Sequence, residues 1–80
     1  MTTLERRHNW KISVFGREHG VPHVHVNGPD FAATVEIATG AVLAGSVPTA
    51  VLAEAREWLS GNREAAQTQW KVLNPTRERG

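Results

Sequence analysis

Three of the four histidines in this chain fall within one short stretch, Glu18-His19-Gly20-Val21-Pro22-His23-Val24-His25-Val26. Imidazole changes charge near neutral pH and is also the commonest metal-binding side chain. His23 and His25 stand two residues apart. On an extended strand that spacing puts both rings on one side, with roughly 6–7 Å between Cα atoms at a rise of ~3.3 Å per residue. Two chemistries suit such a pair. The rings can act as general acid and general base, or ligate one metal ion with His19 or Glu36 as third donor. Spacing supplies no complete ligand set, so His23, His25 and His19 stand as catalytic candidates and no cofactor is assigned. The same spacing also suits two solvated histidines with no role. His8, set among Glu5, Arg6 and Arg7, reads as a surface residue.

The segments around the pair alternate with period two, the signature of half-buried strands. Trp10, Ile12 and Val14 alternate with Lys11, Ser13 and Phe15 in a first strand. A loop from Gly16 to Pro22 follows, and Pro22 sets where the second strand, residues 23–27, begins. Asn27-Gly28-Pro29-Asp30 is a cluster of turn formers. Residues 31–37 form a third strand, Thr39-Gly40 a second turn, and Ala41 to Ala44 a short fourth strand. Cross-strand partners share a face. Two hairpin registers match apolar to apolar, and both bring His23 near Glu36. The tighter one pairs His25 with Thr34 and His23 with Glu36. A one-residue slip exposes the valines and buries the histidines, so it is disfavoured. Both imidazoles are therefore expected to stand out together from the face away from the helices. Lys11 shares that face by parity, with Arg17 in the adjoining loop. Lys11, Arg17, Thr34 and Glu36 are the substrate-binding candidates.

From Pro48 the period becomes helical. Val51, Leu52, Ala55, Trp58 and Leu59 make one apolar stripe. Gly61 is a stop signal and Asn62 an N-cap for a second helix carrying Ala66, Trp70 and Leu73, which Pro75 ends. The tryptophans read as core. The fold expected is α+β: a four-stranded antiparallel meander within residues 10–44, then a helical hairpin within 48–73 packed on one sheet face. It forms a single domain over residues 1–80, with a flexible tail over 74–80.

Eighty residues allow one small core. The chain has no cysteine, which excludes disulfides, thiolate zinc sites and a cysteine nucleophile. No apolar run approaches the ~18 residues of a membrane span. Met1 to Trp10 lacks a signal-peptide core, so the expected location is the cytoplasm, with no membrane partner. The net charge of +1 argues against tight nucleic-acid binding by the chain alone. Arg6, Arg7, Lys11 and Arg17 nonetheless make a mildly cationic surface suited to an RNA backbone. Short edge strands invite self-association, so a homodimer is expected as one option.

The string from Glu18 to Val26 resembles the Pro-His-aromatic-His-Val signature of a family of small bacterial proteins, domain of unknown function 4160. Ile37, Thr39-Gly40, Leu43, Gly45 and Pro48 are similar to that family's next conserved stretch, and Trp58, Asn62 and Trp70 to its helical tail. The resemblance spans roughly residues 8 to 73. Val24 replaces the family's aromatic, which removes a stacking ring and leaves the imidazoles in place. The resemblance implies a small component of a toxin–antitoxin-type module, with a cognate protein partner. Three readings follow. The first is a toxin-like, RNA-targeting component using His23 and His25 as acid and base. The second is a non-catalytic binding or regulatory module that docks through its sheet. The third is a small histidine-based metal-binding protein.

Overall fold

The computed structural model describes residues 1–75. Its strands are β1 (Thr2–Arg7), β2 (Trp10–Val14), β3 (His23–Asn27), β4 (Ala32–Glu36) and β5 (Val42–Ser46), followed by helix α1 (Thr49–Leu73). The strands lie in sequence order in one antiparallel sheet. The α+β class holds, with five strands rather than four.

The added strand is β1. Its sequence, Thr-Thr-Leu-Glu-Arg-Arg, hides it because an edge strand needs to bury little. Leu4 alone packs on the core. The register shift between Thr3 and Glu5 is the bulge that turns Leu4 inward. The last strand also moves, to Val42–Ser46, with a second shift opposite Thr34 and Val35. Gly45 sits there at φ 76°, and a Cβ at this position would run into the Ala32 carbonyl oxygen. Only glycine fits.

The helical hairpin is not formed. One helix, α1, carries a kink at Asn62 (φ −134°, ψ 21°). Gly61 does not end the helix, because the side-chain amide of Asn62 donates to the Trp58 carbonyl at 2.7 Å and bridges the break. Ala55 and Leu59 before the kink and Ala66 and Trp70 after it are all buried. The longest molecular dimension, 44 Å, matches a helix that bends without reversing. Its apolar stripe covers Ile12, Val14, Val24, Val26, Val35 and Ile37, the sheet face that parity assigns to the core.

The end of α1 reaches the far rim of the sheet. Asn74 donates from Nδ2 to the Phe15 carbonyl (2.9 Å) and the Trp70 carbonyl (3.2 Å). Its Oδ1 accepts from the Glu18 backbone N–H at 2.7 Å. Asn74, assigned to the tail by sequence, is thus tied to the loop after β2. The rest of the expected tail, residues 76–80, lies outside the described residues. No helix is long and apolar enough to cross a membrane, among the described residues.

Candidate functional site

β3 pairs with β4 in the tighter of the two registers open to the sequence: His23 faces Glu36, and His25 faces Thr34. Ser13 of β2 faces His25 on the other side. The loop between β2 and β3 then folds back over this end of the sheet. Arg17 takes φ 59°, a left-handed conformation uncommon outside glycine, and Gly20 takes φ 89°. Such a residue costs ~1 kcal/mol or more, which the surrounding contacts must offset. The turn, held by Asn74, sets Glu18 against the histidine pair.

Three donor atoms converge as a result. Oε1 of Glu18 lies 2.8 Å from Nε2 of His23 and 2.7 Å from Nε2 of His25. The three residues offer ligand atoms all within 4.8 Å of one another. The rings lie 5.3 Å apart, centroid to centroid, inclined at 70°. Nδ1 of His23 lies 2.8 Å from the Val21 carbonyl oxygen. That oxygen only accepts, so Nδ1 carries a proton. In a neutral His23 the Nε2 atom is then a bare lone pair aimed at a carboxylate oxygen. Two lone pairs at this distance repel. A positive charge makes the contact favourable, either as a second proton on the ring or as a cation between the donors.

Burial alone pushes the Glu18 carboxyl up. Hydrogen bonds from His25 and His23, with their charge, outweigh it and hold the group below its ordinary value. The contact with the histidines therefore favours the ionised carboxylate. The site lies at a seam rather than on an open face. The His23 side chain is 10% exposed, those of His25 and Glu18 23% and 26%. Trp70 covers the His23 ring at 4.6 Å, and Phe15 meets His25 edge-on at 4.5 Å. The expectation that both imidazoles stand clear of the tryptophan-bearing helix fails for His23, because the last turns of α1 overhang the start of β3. Both rings do point to one place.

The other sequence candidates scatter around this point. His19 and Arg17 are exposed in the loop and line a cleft of about 550 Å³ with Glu18, Leu73, Asn74 and Pro75. His19 does not join the donor set. Thr34 is half-buried across from His25. Glu36 is the cross-strand partner of His23, yet its carboxylate accepts from the Thr39 hydroxyl at 2.6 Å, over the turn to β5. Lys11 shares the face of Ser13 and His25, one two-residue step along β2. Ser13 is wholly buried, and its hydroxyl has no hydrogen-bond partner among the described residues.

Glu18 is the member that sequence reasoning missed. It opens the histidine-rich string, but parity says nothing about a loop residue. Its one signal was a carboxylate five residues before a His-x-His pair, with Gly20 between to let the chain turn back.

Among known proteins, residues 9–71 match the model of a family described as a domain of unknown function (DUF4160). No curated protein and no solved structure matches the chain.

Proposed function

The chain belongs to the DUF4160 family, whose description names no activity, and from the geometry we propose that it is a small metal-binding protein with a two-histidine, one-glutamate centre. The carrying observation is the convergence of two Nε2 atoms on Oε1 of Glu18. The lock of His23 Nδ1 on a backbone carbonyl leaves its Nε2 as a ligand. A metal-bound histidine ordinarily gives its other ring N–H to such an oxygen. Ligands at ~2.0–2.2 Å from a zinc ion stand ~3–3.5 Å from one another. The contacts of 2.7 and 2.8 Å to Glu18 need to widen by roughly half an ångström. Three protein ligands leave a position for water or substrate, as in catalytic rather than structural zinc sites. A nitrogen and oxygen set without cysteine suits zinc, iron(II) or manganese(II).

Titration of untagged, chelator-treated protein with zinc, iron(II) and manganese(II) tests the reading. One equivalent of at least one ion is expected at micromolar affinity or better, weakened about 100-fold or more in His25→Ala and Glu18→Gln. Failure of all three ions to bind stoichiometrically overturns it.

The toxin-like, RNA-targeting reading with His23 and His25 as a free acid–base pair has less support. Trp70 covers one ring, and Glu18 holds both Nε2 atoms. It predicts arrested growth on induced expression, relieved by His23→Ala and His25→Ala.

The docking reading has an observation of its own. β5 is an edge strand, exposed at all five positions and without a charged residue. The opposite edge, β1, is protected by Glu5, Arg6, Arg7 and its bulge. An unprotected edge accepts a strand from another chain, either a cognate protein or a second copy. Sedimentation across micromolar concentrations, compared with Leu43→Lys, tests the second copy. Dimers lost in the variant support it, and a monomer throughout removes it.

A further inference from the structure

The pairing of β1 with β2 sets Arg6 directly across from Lys11, and Lys11 lies across from Asn27 of β3. The three make a ladder over adjacent strands. It lies on the sheet face of Ser13 and His25, since Lys11 and Ser13 are two residues apart on β2. Like charges opposite each other in a sheet are destabilising. Nothing nearby relieves this pair. Neither Arg6 nor Lys11 has an ion-pair partner among the described residues, and the Glu5 carboxylate is taken by Arg7 at 2.7 Å. Asp30 lines a different hollow, with Pro29 and Phe31. A cavity of about 310 Å³ opens at the ladder, with His8, Asn9 and Gly28 on its wall beside Arg6, Lys11 and Asn27.

We infer that the Arg6–Lys11–Asn27 ladder binds the phosphoryl group of a phosphorylated ligand beside the candidate metal centre. Two cations and an amide supply charge and donors, and no carboxylate is among the residues lining the cavity, which is the chemistry a phosphate oxyanion needs. Asn27 is two residues beyond His25 on the same face of β3, so the Cα atoms of these nearest members of ladder and centre are about 7 Å apart. A phosphate ester bound on the ladder would thus be a substrate class for the neighbouring centre. That substrate class for the centre rests on the metal reading above; the ladder itself does not.

The test uses the full chain, with and without chelator, and three probes: inorganic phosphate, a mononucleotide, and a short single-stranded oligonucleotide. Backbone amide shifts are followed by NMR. Shifts centred on residues 6, 11 and 27 are expected without any metal. In Arg6→Gln/Lys11→Gln affinity should fall at least tenfold, and in wild type it should weaken with added salt. His25→Ala should keep phosphate binding while losing the ion, which separates the two proposals. Oligonucleotide binding tighter than mononucleotide assigns the phosphate to a nucleic-acid strand, and equal binding to a small ester; either ranking supports the ladder. Lys11→Gln should also raise the melting temperature of the unliganded protein at low salt, by removing the like-charge pair. Phosphate binding unchanged in the double variant, or seen only with metal present, overturns the ladder and leaves the metal reading standing.

Discussion

Ser13 and Glu18 show opposite ways of placing a polar group beside His25. Ser13 is entirely buried with an unsatisfied hydroxyl, which costs ~1–3 kcal/mol. Ser13→Ala removes that cost and a little volume, so chemical denaturation should show stability unchanged or raised by about 1 kcal/mol. A substantial loss would mean that the hydroxyl has a partner. Glu18 is satisfied twice, by His25 and His23, and its folded carboxyl lies below the ordinary 4.5. A carboxyl depressed on folding adds stability above its unfolded value. That addition is lost as pH falls through the folded value. Ion-free protein should therefore weaken on the acid side of about pH 4.5, and Glu18→Gln should flatten that limb. Denaturant midpoints measured over pH 3–7 with chelator would show it.

At the scale of elements, the centre depends on how a loop is pinned to a helix end. The Asn74 side chain makes two hydrogen bonds across that junction, to the Glu18 N–H and the Phe15 carbonyl, and a third back to the Trp70 carbonyl of its own helix. At ~1 kcal/mol each net, Asn74→Ala should cost roughly 2–3 kcal/mol. It should also weaken metal binding about 10–100-fold, as outer-shell substitutions do. Full metal affinity in the variant would show that Glu18 is placed without it. This junction was invisible in the sequence, because long-range hydrogen bonds leave no periodic trace. The middle of the sheet was legible, since Trp10, Ile12, Val14, Val24 and Val26 alternate cleanly and one face has to be buried. The register was narrowed to two by the same alternation. β1 was not legible, because Thr2 to Arg7 carries a single apolar residue, Leu4, and shows no period-two alternation. The kink at Asn62 was read as a stop because Gly-Asn is a common helix terminus, and nothing local reveals the side chain that bridges it. The histidine pair was found by spacing, and its carboxylate was missed because it arrives through a loop.

At the scale of the whole molecule, the three donors come from two segments that fold together only when sheet, loop and helix are all in place. An ion that binds only the native arrangement should stabilise the entire domain. At a hundredfold excess over its dissociation constant the gain is about 2.7 kcal/mol. For a domain of this size that corresponds to a rise of roughly 10–20 °C in melting temperature. Calorimetry of wild type and His25→Ala with zinc checks this, and equal shifts in both would point to binding elsewhere. The latch at Asn74 also has a meaning for biosynthesis. The loop bearing Glu18 is translated more than fifty residues ahead of its clasp. A ribosome paused before codon 74 would hold a nascent sheet with its histidines already made and nothing to fasten the acidic arm across them. Assembly of the centre thus waits on the synthesis of Asn74, and a protease that clips the helix end would undo it while sparing most of the fold.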